Sequence, residues 1–426
     1  MHPPVGPRPP LRVALLGLGN VARPVAAKLV DPGWRADVEA RGICAPVLRV
    51  VGIRDPGRQR GVALPDSVRL TDDLAGLMSD PDIDVVVELI GGTADAGSLT
   101  RAAIHAGKHV VTANKALLAT DGPAIEAAAR EARIAFRFEA AVGGGMPILG
   151  PLSTDLAANT IHAVRGIVNG STNHILSAMA RDARTYPDVL AEAQARGYTE
   201  ADPRTDVEGL DAADKLTLLT RLCFGVWADP AALRRSAPRT RGDGASGITG
   251  VTTSELGGAA RLGLTLKLVA RAERDRDGTL RAAVSPMAVR ATSSLGSTDG
   301  VLNLVEVVGD PIGRVSFRGP GAGGPATSSA VLGDLLAIAR GAGSTWEWLP
   351  AGTGPVQLAD DLAGLGGWFF VAPELPTGNL PGSLAEVVLV SDMDAFVVRP
   401  LALDSIRTRL GALDIDTTIY PVLSEA

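Results

Sequence analysis

Residues Leu11–Val30 read LRVALLGLGNVARPVAAKLV. A short apolar run from Leu11 leads into Gly17-Leu18-Gly19-Asn20-Val21-Ala22, and a helix-like stretch continues to Val30. This is G-x-G-x-x-A in the strand–turn–helix context that gives the pattern meaning. Glycines permit the tight turn and let backbone N–H groups approach a pyrophosphate at the positive end of the helix. Pro24 falls in the first helical turn, where its missing N–H costs little.

The flanking sequence repeats the same rhythm. Leu48–Ile53, Ile83–Ile90, His109–Thr112 and Ile134–Glu139 read as buried strands. Thr71–Ser79, Leu99–Ala106 and Pro123–Ala132 read as helices between them. Alternating strands and helices predict an α/β fold, a Rossmann-type doubly wound parallel sheet over residues 11–140. The second strand ends in Ile53-Arg54-Asp55, with Arg58 and Arg60 following. An acid there binds the ribose hydroxyl of NAD, and an arginine accommodates the phosphate of NADP. The reading leans to NADP over NAD through Arg54.

After Gly143-Gly144-Gly145 the pattern changes. Ala163–Val168, Val301–Val308 and Arg314–Phe317 read as strands, and Glu255–Ala272 and Ser328–Arg340 as helices. An α+β catalytic and dimerisation domain is expected over 141–340. Its densest chemistry is GYTEADPRTDVEGLDAADKLTLL, Gly197–Leu219, in which Glu200, Asp202, Asp206, Asp211 and Asp214 precede Lys215. Asp211 and Lys215 are spaced i, i+4 and share a helix face. Thr205–Glu208, TDVE, reads as the capping box that starts this helix. A lysine at the edge of an apolar run, with acids a turn away, suits an acid or an electrostatic anchor for substrate.

Composition narrows the classes. The 426 residues are 46% hydrophobic and 21% charged, with a net charge of −6. The acidic balance, scattered basic residues and 4% aromatic content exclude a general nucleic-acid binder. No eighteen-residue apolar window predicts a membrane span. Cys44 and Cys223 lack disulfide or metal spacing and fit reduced thiols in a cytoplasmic protein. The proline-rich residues 1–10 read as a disordered lead.

GLGNVA, TANKALLA (Thr112–Ala119), FEAAVGGGMPIL (Phe138–Leu149), GIVNGSTNHIL (Gly166–Leu176), the Gly197–Leu216 stretch and GPGAGGPATSSAVLGD (Gly319–Asp334) together resemble the homoserine dehydrogenase family. The resemblance spans about four-fifths of the chain. It implies NAD(P)H-dependent reduction of aspartate 4-semialdehyde to homoserine, in threonine, methionine and isoleucine biosynthesis. By motif, Lys215 matches the catalytic lysine with Asp211 as its companion, and Lys115 a second lysine between cofactor and substrate. Glu200 grips the substrate ammonium, Asp206 lines the same pocket, and Gly197 belongs to the substrate side. Thr93 lies where the family contacts nicotinamide, and Gly323 in the loop closing over it. Glu139, with carbonyls of Val142, Gly144 and Met146, matches a monovalent cation site for Na+ or K+. The chain departs from the family at Ser171, usually threonine, and at His174, usually aromatic; Ser171 keeps the hydroxyl, and His174 reads as packing. His105, His109 and His162 read as structural.

Residues 341–426 resemble a degenerate ACT-like regulatory domain in WFFVA, LPGSLAEVV, AFVVRP, SIRTRLGAL and DTTIYPV. The family implies a homodimer, with a tetramer as the larger alternative. Two other readings compete: a non-catalytic NAD(P)-binding redox-sensing regulator, and a dehydrogenase for a related amino-acid aldehyde.

Overall fold

The computed structural model describes residues 9–55, 61–359, 366–375 and 380–423. The chain divides into two compact units: Met1–Ala158 with Leu218–Trp227 and Pro320–Val356, and Asn159–Thr217 with Ala228–Gly319 and Gln357–Ala426. Where the sequence drew domains in series, each unit is assembled from three separated stretches.

The first unit holds β1 (Arg12–Leu16), β2 (Val47–Gly52), β3 (Arg69–Thr71), β4 (Val85–Glu88), β5 (His109–Thr112) and β6 (Phe136–Arg137) in the order β3-β2-β1-β4-β5-β6. Every pairing is parallel. The central strands are covered on both faces, which explains their unbroken valine and leucine runs. The helix Gly324–Ala339 joins this unit: Val331 and Leu335 share a core with Val25 and Leu29 of the helix Ala22–Val30 and with Val13 and Leu15 of β1.

Several local expectations are corrected. Thr71–Ser79 is helical only over Gly76–Ser79, because Asp73 closes a turn by accepting the Gly76 N–H at 2.8 Å. The helix expected over Pro123–Ala132 begins earlier, at Lys115, where the Asn114 side chain accepts the Leu117 N–H at 3.1 Å. Glu255–Ala272 is split into the helix Thr253–Arg261 and the strand Leu264–Arg274. The strand wins because it is central, paired with Thr160–Ile167 on one side and Leu280–Arg290 on the other. TDVE does not start the lysine helix. A four-residue helix Arg204–Val207 is broken by Gly209 at φ +80°, and the helix Leu210–Phe224 begins after it. The capping box lies instead at Thr252 and Glu255.

The second unit carries a nine-stranded sheet in the order Gly313–Pro320, Leu302–Asp310, Thr160–Ile167, Leu264–Arg274, Leu280–Arg290, Tyr420–Val422, Gly367–Val371, Ala395–Val398, Val388–Asp392. The last elements run strand Gly367–Val371, helix Gly382–Ala385, strands Val388–Asp392 and Ala395–Val398, helix Leu403–Gly411 and strand Tyr420–Val422. This is a βαββαβ sequence whose strands lie in the order fourth, first, third, second. Trp368, Phe370, Phe396, Ile406 and Leu410 fill the core of this segment. Val422 pairs with Ala288, so the segment continues the central sheet.

One buried ion pair ties distant segments of the first unit together. Glu126 accepts from Arg221 Nε at 2.8 Å and Nη2 at 2.6 Å, from Trp227 Nε1 at 2.8 Å and from Arg130 Nε at 2.8 Å. The Arg221 side chain is fully buried. Removing the acid strands a guanidinium away from water, a loss of about 3–5 kcal/mol. Glu126→Ala should therefore lower the stability measured by denaturant unfolding by that amount, whereas a change below about 1 kcal/mol would show the pair to be dispensable.

Candidate functional site

In the first unit the fingerprint turn is shaped by its backbone. Gly17 adopts φ +91°, its N–H donates to the Gly52 carbonyl at 2.8 Å, and a Cβ there would lie 2.9 Å from the Leu89 carbonyl oxygen. Val21 precedes the helix Ala22–Val30 without a side-chain cap, and the Arg23 N–H returns to the Gly19 carbonyl at 3.0 Å, so the positive end of the helix is closed by backbone alone. Gly324 packs against this turn; a Cβ on it would meet the Asn20 carbonyl oxygen at 2.2 Å. Gly323 beside it is exposed and precedes the helix Gly324–Ala339.

A cavity of about 320 Å³ opens here, lined by Gly19, Asn20, Val21, Gly92, Asn114 and Lys115 among others. It lies at the carboxyl ends of β1 and β4, where the strand order reverses. Open parallel sheets bind their ligands at that point. Its floor is organised by Glu88, which the sequence reading overlooked. This buried carboxylate accepts the Ile90 N–H at 2.9 Å and the Thr112 hydroxyl at 2.7 Å. The Thr112 hydroxyl in turn accepts the Asn114 N–H at 2.9 Å, and Asn114 Nδ2 donates to the Gly92 carbonyl at 2.7 Å. The GGT and TANK loops are thus locked to each other, with Thr93 exposed and Lys115 half-buried.

Arg54 is exposed and pairs with Asp95 at 3.5 Å. Such an exposed pair is worth about 0–1 kcal/mol, so a phosphate can recruit the guanidinium cheaply. Arg58 and Arg60 lie outside the described residues.

The Glu139 carboxylate, taken from sequence as a cation ligand, is gripped by the backbone. Oε1 accepts the Ile148 N–H at 2.6 Å and the Leu149 N–H at 2.8 Å, and Oε2 the Gly150 N–H at 2.5 Å. Burial, then the charge of Asp334, raises its pKa against these donors. Burial also raises that of Asp334, which Arg137 pairs at 2.7 Å. The two buried acids are joined through the backbone, the Glu139 N–H donating to Asp334 Oδ2 at 2.8 Å. Val142 and Met146 are buried nearby in sequence, and Gly144 packs on Gly321.

The second unit gathers the acids and the lysine. Lys215 Nζ donates to Asp211 Oδ2 at 2.7 Å and to the Val168 carbonyl at 2.6 Å. Both side chains are about nine-tenths buried. Asn169, at the start of the helix Gly170–Asp182, donates from Nδ2 to Asp206 Oδ1 at 2.7 Å and to Asp211 Oδ2 at 2.8 Å. Thr199 donates its hydroxyl to Asp206 Oδ2 at 2.8 Å. Glu200 is exposed beside Thr199. Asp202 turns away: a hydrogen-bonded fork from Arg204 lowers its pKa to about 2.

Gly197 ends the helix Tyr186–Ala195, with the Tyr198 N–H returning to the Ala193 carbonyl at 2.9 Å. Ser171 donates to the Tyr198 carbonyl at 2.5 Å, so the serine hydroxyl does hold this loop. His174 sets its ring edge-on to Tyr198 with centroids 4.8 Å apart, and burial lowers its pKa. A neutral packing imidazole is the role this geometry gives it. The sequence reading thus paired Asp211 with Lys215 but missed Val168, Asn169 and Thr199; only the position of NGST at a strand end could have drawn attention to them.

Comparison with known proteins follows the same division. A family model described as homoserine dehydrogenase matches residues 147–336. A second, described as homoserine dehydrogenase, NAD binding domain, matches residues 17–139. The homoserine dehydrogenase of Synechocystis sp. is 41% identical over 331 residues, covering 77% of this chain and 73% of that protein. That of Bacillus subtilis is 38% identical over 331 residues, covering 78% and 73%. The crystal structure of a homoserine dehydrogenase from Thiobacillus denitrificans matches with a TM-score of 0.82 and 31% identity, covering 97% of this chain and 98% of that one.

Proposed function

The chain belongs to the homoserine dehydrogenase family, and on that premise we propose which of its residues carry the reaction. The substrate, aspartate 4-semialdehyde, is an amino acid bearing an aldehyde, and the product is homoserine. A nicotinamide cofactor supplies the hydride when bound. The observation that carries the assignment is the Lys215 ammonium, buried between Asp211 Oδ2 and the Val168 carbonyl and linked through Asn169 to Asp206.

Hydride arrival at the aldehyde carbon leaves negative charge on its oxygen. The preplaced Lys215 ammonium stabilises that charge and donates the proton, and Asp211 holds the lysine in register. Lys115, on the cofactor side, is the second candidate for proton delivery. Glu200 and Asp206 take the substrate ammonium, and Gly197 gives their loop its turn. Gly17, Leu18, Gly19, Asn20 and Val21 hold the pyrophosphate, while Thr93 and Gly323 flank the nicotinamide. A redox sensor on the same fold would have no use for a buried lysine joined to paired acids, so the catalytic reading is favoured.

Lys215→Ala should lower kcat by about a hundredfold or more with the cofactor KM unchanged, because the ammonium matters most in the transition state. Glu200→Gln should instead raise KM for the aldehyde, since it faces a charge present throughout. Near-normal kcat in the first variant would remove Lys215 from the chemistry, and an unchanged KM in the second would remove the ammonium clamp.

The cofactor is NADPH in preference to NADH, through Arg54 at the end of β2. Comparing kcat/KM for both cofactors in the wild type and Arg54→Ala should show the NADPH advantage shrinking in the variant. An NADH preference above about tenfold in the wild type would reverse the assignment.

Na+ or K+ binds through Glu139 and the carbonyls of Val142, Gly144 and Met146. The βαββαβ segment from Gly367 to Val422 acts as an ACT-like effector module. One thermal-shift series tests both. Sodium or potassium chloride should raise the melting temperature above that in a bulky organic ammonium chloride at equal ionic strength. Threonine should raise it in the full chain and not in a chain truncated after residue 359, which keeps every residue of the first unit. No cation-specific rise would count against the first assignment, and no threonine shift against the second.

A further inference from the structure

Resting on the catalytic reading above, we infer that Asn169 is a positioning residue that holds the substrate-clamp acid and the lysine's acid in one array. Asp206 and Asp211 are like charges that repel unless a donor stands between them. The Asn169 amide is that donor: Nδ2 sends one hydrogen to Asp206 Oδ1 at 2.7 Å and the other to Asp211 Oδ2 at 2.8 Å. Asp211 Oδ2 is the same oxygen that accepts from Lys215 Nζ.

The amide cannot be turned over. Its Oδ1 accepts the Thr172 N–H at 2.9 Å and the Thr172 hydroxyl at 3.0 Å, and reversing it would set an oxygen against two carboxylates. Asn169 is 5% exposed, so water cannot replace it readily. Its neighbour Val168 supplies the carbonyl on Lys215 Nζ. The end of the strand Thr160–Ile167 therefore fixes the lysine through a backbone oxygen and its acid through the next side chain.

Asparagine has two separable duties here. Its Oδ1 caps the helix Gly170–Asp182, and serine or aspartate performs that duty about as well. Its Nδ2 bridges the acids, and neither replacement does so. Asn169→Ser removes the bridge; Asn169→Asp also adds a third carboxylate to the pair.

The experiment measures kcat, KM for aspartate 4-semialdehyde, KM for NADPH and melting temperature in the full-length wild type, Asn169→Ser and Asn169→Asp. Wild-type turnover of the aldehyde is required first, and its absence would reject the functional reading independently of Asn169. Asn169→Ser should melt within a few degrees of wild type, Asn169→Asp should melt lower through its added buried charge, and both should keep the NADPH KM within about twofold. Loss of two charge-assisted hydrogen bonds should cut kcat/KM for the aldehyde about a hundredfold in Asn169→Ser, with both kcat and KM affected, and further in Asn169→Asp. Within about threefold of wild-type kcat/KM in Asn169→Ser, the inference is overturned. It is equally overturned if Asn169→Asp matches or exceeds Asn169→Ser, or if aldehyde and NADPH parameters fall in parallel with the melting temperature, which marks a helix cap alone.

Discussion

An ammonium carried into a protein interior loses its hydration and must recover it from fixed oxygens. Lys215 recovers it from Asp211 and from the Val168 carbonyl. The first partner depends on helical register, because the i, i+4 spacing brings Asp211 onto the same face. The second depends on where the strand Thr160–Ile167 ends. A one-residue slip in either element would leave the charge unpaired, so strand, turn and helix are constrained together. On the proposed catalytic reading the same constraint serves the reaction, because a fixed ammonium needs no reorganisation when charge appears on a substrate oxygen.

The nucleotide-binding unit works by a comparable device with the opposite sign. Glu88 is buried at the end of β4 and spends its oxygens on the N–H groups and hydroxyl of two loops. Those loops border the cavity beside the fingerprint glycines. Glu139 does the same for the turn into the short helix Leu149–Ser153. In each case a buried carboxylate fixes the backbone of a turn. The Rossmann-type sheet supplies rigid strand ends, and the acids convert them into a shaped floor.

What the sequence disclosed is what local geometry controls. The glycine fingerprint is legible because φ and close approach are properties of single residues. Asp211 and Lys215 are legible because helical spacing is local, and the parallel sheet is legible because double-sided burial leaves unbroken apolar runs. Asn169 with Asp206, Glu88 with Thr112, and Glu126 with Arg221 are pairs brought together only by the fold, and no window of sequence contains both members. Glu255–Ala272 reads as one helix because its apolar residues fit more than one period; the central place of Leu264–Arg274 in the sheet makes its second half a strand. TDVE had the chemistry of a cap, but Gly209 breaks the chain between it and the helix it was meant to start.

On the proposed reading Lys215 faces the reacting oxygen while the neighbouring acids face the ammonium. A crystal structure of the protein with homoserine and oxidised cofactor would reveal which end of the substrate each group meets. Lys215 Nζ is expected within about 3.2 Å of the homoserine hydroxyl, or joined to it through one water, with the ammonium held by Glu200 and Asp206. Homoserine bound in the reverse sense, with its ammonium away from both acids and its hydroxyl out of reach of Lys215, would contradict it.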